Sequence, residues 1–395
     1  MSDMRAARVW LLVAVSMLLV LGFVMVYSVT SVSQSEGEAI PFADVLKQIA
    51  YAVVGIGLML AIWRLVPSRE MIGRLMWGYY IVCMVFLVLT FAVGTEVNGA
   101  KRWLYIGPFG FQPSEFVKIA LLLMSIRIMY DDYVGAIERR AAFTQFALLV
   151  LLPLVFMYFT QSDLGSVIIC MVGIYAALWL YGANRTTLVA IAAVAVVGVL
   201  VAIFGVGYRS SRLIYLDPWN DGDNGLGAGY NIIHAYYAIA EGGLFGVGIG
   251  SSHEKFDYLF AADSDFIFAV IAEELGLVGA IVVIGLFIAI LVCGLSIASS
   301  SSDRLCSMLA GAFVIMLVFQ AFLNIGCTIG VFPTTGKPLP FISSGGSSVI
   351  SSLMIIGILL SISQESRQKD DSRRRRDSIR VVSTGRSRGR GGSRG

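Results

Sequence analysis

Long runs of apolar residues, broken by short polar intervals, occupy nearly the whole chain. Residues 9–31, 75–94, 141–160 and 186–208 contain no charged side chain at all. A bilayer core about 30 Å thick is crossed by about 20 helical residues. Ten stretches approach that length: 9–31, 48–66, 75–94, 113–130, 141–160, 164–184, 186–208, 266–296, 305–330 and 346–363. The pattern predicts an all-α integral membrane protein with about ten transmembrane helices. No small-residue cleavage site follows the first stretch, so it reads as a retained helix and not as a signal peptide. The longest polar interval, residues 207–264, reads as one large loop.

Composition agrees with the pattern. The chain is 57% hydrophobic and 14% charged, with mean hydropathy +0.81, which excludes an ordinary soluble domain. Charge divides it into two regions, a membrane domain over 1–363 and a basic tail over 364–395. The tail holds eleven Lys/Arg against four Asp/Glu, so the net +3 of the whole chain conceals an acidic remainder. Arg373–Arg376 and repeated Gly and Ser leave the tail no apolar face to bury, and it is expected to be disordered near anionic lipid. Nucleic acid is a poor partner for such a tethered segment.

Loop charges set an orientation. Arg5 and Arg8, Arg64, Arg69 and Arg74, Arg127, Arg139 and Arg140, Arg185, Arg304 and the tail all fall on one side. That side is assigned to the cytoplasm, with both termini there and the large loop outside. The cysteines Cys83, Cys170, Cys293, Cys306 and Cys327 all lie in predicted spans without a CxxC spacing, so they read as buried free thiols. His234 and His253 stand apart from any cysteine cluster, which argues against zinc.

Polar residues of interest gather toward the outer side. Asp265 follows the large loop and leads into an apolar stretch; a carboxylate at the lip of a membrane helix is costly to keep and marks a functional candidate. On a helix starting there, Ala269, Ala272 and Gly276 would form a stripe of small residues on its face. Glu273 and Glu274 would lie deeper and point elsewhere. In Gln112-Pro113-Ser114-Glu115-Phe116-Val117-Lys118, Pro113 suits a first helical position, and Glu115 and Lys118 share a face. They form either a self-satisfying ion pair or a site in which Lys118 meets an anionic ligand. Asp163, in Gln161-Ser162-Asp163-Leu164-Gly165, is either a helix cap or a functional acid. Arg209 and Arg212 either rest at headgroups or grip a phosphate. Gly242, Gly243, Gly246, Gly248 and Gly250 lack a βαβ context and read as sites of tight turns and close helix approach. Residues 333–348 hold three prolines and three glycines and read as a shaped outer loop dipping between helices.

Together, Asn98–Trp103, Gln112–Lys118, Gln161–Gly165, Asp265–Glu274 and Pro333–Ser348 resemble the SEDS family (shape, elongation, division and sporulation), which includes FtsW, RodA and SpoVE. The likeness covers residues 9–363, and Thr335–Pro340 leans toward the FtsW branch. It implies a peptidoglycan glycosyltransferase of the bacterial cytoplasmic membrane at the division septum. Such an enzyme polymerises lipid II with a class B penicillin-binding protein and other divisome proteins. It further implies that Asp265 matches the essential aspartate, with Lys118 and Asp163 matching the cavity lysine and buried aspartate. Departures are Ser162 within the usual Gln-Pro-Asp turn, Asn231 and His234 where relatives usually carry glutamines, and Leu259-Phe260-Ala261 for the usual Leu-Pro-Glu.

The implied chemistry fits these residue types. A sugar hydroxyl attacks an anomeric carbon and expels a lipid diphosphate, which leaves unprotonated when cations stabilise it. One base suffices, in contrast to the paired acids of glycoside hydrolases. Asp265 is the expected base. Lys118, Arg102, Arg209 and Arg212 are the expected counter-charges, and Gln112, Glu115 and Asp163 complete the expected substrate-binding set. A divalent cation, Mg or Mn, is a candidate cofactor, although no clustered carboxylates specify a metal site. The rival readings are a lipid II transporter and a non-catalytic divisome scaffold, and elongation or sporulation are the rival pathways.

Overall fold

The computed structural model describes residues 2–30, 43–65, 69–97, 100–107, 109–204, 211–223, 225–256, 258–301 and 303–364, and among these each of the ten apolar stretches contributes a helix. The chain begins with α1 (Ser2–Thr30), α2 (Ala43–Leu65) and α3 (Arg69–Val93). A small antiparallel sheet follows, with β1 (Thr95–Val97), β2 (Ala100–Ile106) and β3 (Phe109–Phe111) in that order. Glu96 is opposite Lys101, and Leu104 is opposite Phe111. Next come α4 (Ser114–Tyr133), α5 (Arg139–Gln161), α6 (Leu164–Tyr181) and α7 (Arg185–Phe204). The chain continues through α8 (Tyr230–Gly242), α9 (Ile267–Ser300), α10 (Arg304–Thr328) and α11 (Gly346–Gln364).

Among the described residues, eight of these helices are long and apolar enough to cross a membrane. Of the other two predicted spans, α4 carries Glu115, Lys118, Arg127, Asp131 and Asp132, and α7 contributes the apolar stretch Arg185–Gly198. The chain is a multi-pass membrane protein. The proposed tail from 365 onward and Arg209 lie outside the described residues.

Helix α10 lies at the centre, packed against α9, α6 and α4, while α1 lies along α9 and α2. Around it α11 buries serines as well as aliphatic side chains, including Ser347, Ser348, Ser351 and Ser352. Such small polar residues let helix backbones approach closely inside a membrane. All five cysteines are buried. In α5 the wide turn Ala147–Leu151 precedes Pro153, whose ring supplies no backbone N–H and crowds the preceding turn.

The large loop is more structured than its polarity implies. It contains a 3-10 turn, Ser211–Leu216, and the helix α8, which packs on α9 through buried residues including Ile232, Ala235 and Ala238. The apolar positions of α8 are interleaved with Tyr, His and Asn, which hid a one-sided helix within a polar interval.

Helix α9 also departs from expectation. It begins at Ile267, so Asp265 precedes it, and its outer part ends at Gly276 (φ 69°, ψ −168°), where the backbone leaves helical geometry. Gly276 therefore does not continue a small-residue stripe. A side chain there would occupy left-handed space 2.4 Å from the Gly246 nitrogen. The loop after α8 fills the break instead. Val247 and Gly248 donate to the carbonyls of Glu273 and Glu274, while Leu277 and Val278 donate to those of Gly243 and Leu244. Gly242 is equally constrained, since a Cβ there would meet the Ala272 carbonyl at 1.9 Å. The glycines do serve close backbone approach.

Candidate active site

Six chain segments converge on one cavity of about 790 Å³. Arg102 and Trp103 come from β2, Gln112 from the approach to α4 and Ser162 from the α5–α6 turn. Asn231 comes from α8, Asp263 and Asp265 from the approach to α9, and Thr335, Gly336 and Pro338 from the loop before α11.

Asp265 is partly buried at the wall. Its backbone is fixed: the Asn324 Nδ2 donates to the Asp265 carbonyl at 2.8 Å and to the Lys337 carbonyl at 2.8 Å. One amide from α10 thus ties together the lip of α9 and the loop before α11. Ser343 Oγ adds a bond to the Ser264 carbonyl at 2.6 Å. Gly336 lies so near that a Cβ there would be 3.5 Å from the Asp265 Oδ2. Burial pushes the Asp265 carboxyl up to about 6, with Asp263 adding repulsion, while the charges of Lys337 and Arg102 oppose the rise. Asp263 is also raised, chiefly by burial.

Arg102 reaches the cavity from β2 and is anchored by two backbone bonds. Its Nε donates to the Gln161 carbonyl at 2.7 Å and its Nη2 to the Ser162 carbonyl at 3.0 Å. Ser162 takes a left-handed conformation (φ 49°), which a proline ring locked near −65° cannot adopt. The serine found where the family pattern has proline thus permits this turn. Gln112 lines the cavity and its backbone N–H donates to the Ser347 Oγ at 2.9 Å.

Asp163 is the helix cap that the sequence offered, but it does not line the cavity expected of a substrate-binding acid and is instead held by a lysine. One oxygen caps α6 by accepting from the Ser166 N–H at 3.0 Å; the other accepts from the Lys337 Nζ at 2.7 Å. Both partners are 2% exposed. Burial disfavours the Asp163 charge, but Lys337 and then Arg102 prevail and hold the carboxyl well below the usual carboxylate range. Lys337 went unrecognised as a site residue because its partner lies 174 positions away. Its only local sign was a lysine in an outer loop otherwise built of Pro, Gly, Thr and Ser.

Lys118 is 1% exposed and does not line the cavity, contrary to the expectation of an ammonium presented there. Its Nζ bonds to Glu115 Oε2 at 2.6 Å and to Gln320 Oε1 at 2.5 Å. Gln320 donates onward to the Pro338 carbonyl at 3.1 Å, and Pro338 does face the cavity. Lys118 and Glu115 therefore support the wall from one layer behind. Arg212 lies in the 3-10 turn Ser211–Leu216.

Glu273 and Glu274 do point away from Asp265, into a second buried polar group. Glu274 Oε1 accepts from Ser28 Oγ at 2.5 Å and Lys255 Nζ at 2.9 Å. Glu273 accepts from Ser252 Oγ at 2.6 Å and from the His253 N–H at 2.5 Å. Among the described residues, the one trio of His and carboxylates close enough to share a metal ion is Glu241, His253 and Glu273, and none of these lines the cavity. Among the described residues, the cavity's own acids, Asp263 and Asp265, form no such trio.

Residues 9–368 match the family model described as Cell cycle protein, for FtsW, RodA and SpoVE. The chain is 32% identical to Stage V sporulation protein E of Bacillus subtilis over 367 residues, 90% of this chain and 97% of that protein. It is 35% identical to the probable peptidoglycan glycosyltransferase FtsW of Aromatoleum aromaticum over 361 residues, 89% of this chain and 86% of that protein. A chain of a peptidoglycan synthase complex that coordinates polymerization and crosslinking superposes with TM-score 0.72 at 29% identity, covering 91% of this chain and 98% of that one. The rod shape determining protein RodA of Thermus thermophilus superposes with TM-score 0.63 at 26% identity, covering 89% and 95%. A family model spanning nearly all of the membrane domain, joined to relatives above 30% identity over 97% and 86% of their length, places this chain in the FtsW/RodA/SpoVE family.

Proposed function

We propose that this chain is a peptidoglycan glycosyltransferase that extends glycan strands from lipid II at the outer face of the cytoplasmic membrane during septal wall synthesis. The observation that carries the reading is Asp265, a cavity-facing carboxyl raised to about 6 with Arg102 and Lys337 as its cationic neighbours. A general base works best when its pKa lies near the working pH.

In the reaction, Asp265 takes the proton from the acceptor sugar hydroxyl as that oxygen bonds to the donor's anomeric carbon from the face opposite the leaving group. The carbon–oxygen bond to the lipid diphosphate breaks, and its electron pair stays on the diphosphate. An α-linked donor thus gives a β-linked product. Arg102, with its Nε and Nη2 fixed to backbone carbonyls, holds a cationic face in the cavity where negative charge develops. Lys337 adds positive potential from behind the wall while its direct partner is Asp163. A cation arriving on the substrate's diphosphate would neutralise charge, but no step depends on one held by the protein.

Every lining segment lies on the side that the loop charges assign to the outside. This favours a polymerase over a transporter, whose path must reach both leaflets. By analogy with the synthase complex it resembles, the chain is proposed to work beside a class B penicillin-binding protein that crosslinks the product. The deciding assay supplies labelled lipid II to the purified complex. Asp265→Asn should retain lipid II binding and make no polymer; undiminished polymer would refute the assignment.

A further inference from the structure

Beside the cavity, on the large loop, lies an aromatic surface that the transfer step does not use. Phe260 is 64% exposed, Tyr258 53% and Tyr237 49%. The rings are joined through His234, whose centroid lies 4.2 Å from Tyr230, 5.7 Å from Tyr237 and 5.8 Å from Tyr258, the last pair stacked at 21°. Tyr230 extends the set to Phe260 at 5.7 Å. The surface is continuous with the cavity rim. Ala261, next to Phe260, lines the cavity, as does Asn231, whose side chain clamps the Phe260 backbone by accepting from its N–H at 3.2 Å and donating to its carbonyl at 3.4 Å. His234 Nδ1 is paired with Glu254 Oε2 at 2.5 Å, which fixes the ring that carries the ladder.

We infer that this ladder is a glycan-binding platform, taking the β-linked amino-sugar strand as it leaves the reaction cavity. The inference rests on the polymerase reading for its substrate. A cavity of about 790 Å³ falls within the range of sites for single small ligands. It accommodates reacting units, and a strand of many sugars must lie outside it. Sugars present a polar rim and apolar C–H faces. They suit a surface where exposed rings alternate with hydrogen-bonding groups, here Asn231, His234 and Glu254.

The test separates binding from catalysis by using full-length Asp265→Asn protein in detergent and soluble, peptide-free β-1,4-linked amino-sugar oligomers as the probe. Removing both outer rings (Tyr258→Ala with Phe260→Ala) should weaken binding of long oligomers by about tenfold. The ring-conserving pair Tyr258→Phe with Phe260→Tyr should restore it, which excludes a folding defect. In the otherwise wild-type complex the alanine pair should also shift products to shorter strands. Unchanged oligomer affinity overturns the platform whatever the polymerisation result. So does a loss confined to partner transpeptidase binding or to membrane partitioning, which would reassign the rings to a protein or lipid surface. Failure of wild-type protein to polymerise would count against the proposed activity alone, because the oligomer measurement needs no turnover.

Discussion

Replacing Asp265 with asparagine should abolish polymerisation and at the same time make the protein more stable. The carboxyl has been lifted from 3.8 to about 6. Because the folded value is the higher one, the folded protein binds the proton more tightly than the unfolded chain does. Ionising the group therefore costs stability, and the cost grows as pH rises from about 4 to about 6 and is constant above that. About two pH units correspond to roughly 3 kcal/mol at pH 7.5, and about half of that should remain at pH 5. Asparagine carries no charge at either pH. Its gain over wild type, measured by thermal denaturation in detergent, should therefore be about 3 kcal/mol at pH 7.5 and shrink by about half at pH 5. The same titration governs the rate. A base with this pKa is nearly all ionised at pH 7.5 and about one-tenth ionised at pH 5, so wild-type polymerisation should fall about tenfold between them. Asparagine, which has no such titration, should lose at least about a hundredfold at pH 7.5 and about a tenth of that factor at pH 5. A rate flat across pH 5–7.5, or a variant no more stable at pH 7.5 than wild type, would refute the reasoning.

Three further outcomes can be checked by the same assays. Lys337→Met strands a buried Asp163 and should cost about 3–5 kcal/mol, much of which the double variant with Asp163→Asn should recover. Asn324→Ala removes two bonds that fix Asp265 and Lys337; it should cost about 1–3 kcal/mol and slow polymerisation at saturating lipid II more than it weakens binding. Gly276→Ala forces a side chain into left-handed space against the Leu244–Gly246 backbone, and a loss of more than about 1 kcal/mol is expected by thermal denaturation.

Hydropathy made the helices legible because the bilayer imposes one length on all of them. It also marked Asp265 as unusual, since an acid there must have a reason to stay. What escaped was pairing across distance. Asp163 looked like a helix cap, and it is one, but its ion pair with Lys337 joins α6 to a loop far along the chain. Lys118 looked available to a ligand because its neighbour in space, Gln320, lies 202 positions away. The interruption of α9 at Gly276 was invisible for a related reason. Glycine occurs inside membrane helices for packing alone, and only the incoming Gly243–Gly248 backbone reveals that this one is a break. Helix α8 was missed because its buried face is short and its exposed face is aromatic.

The break at Gly276 divides α9 into a short outer cylinder and a long lipid-embedded rod. The outer cylinder, which follows directly from Asp265, is bonded to the α8 loop through Glu273 and Glu274 and, by way of Lys255, to Ser28 of α1. Asp265 is thus mounted on an assembly that the α8 loop and α1 hold together. Displacing the α8 loop or the outer end of α1 would therefore be felt at the lip that carries Asp265.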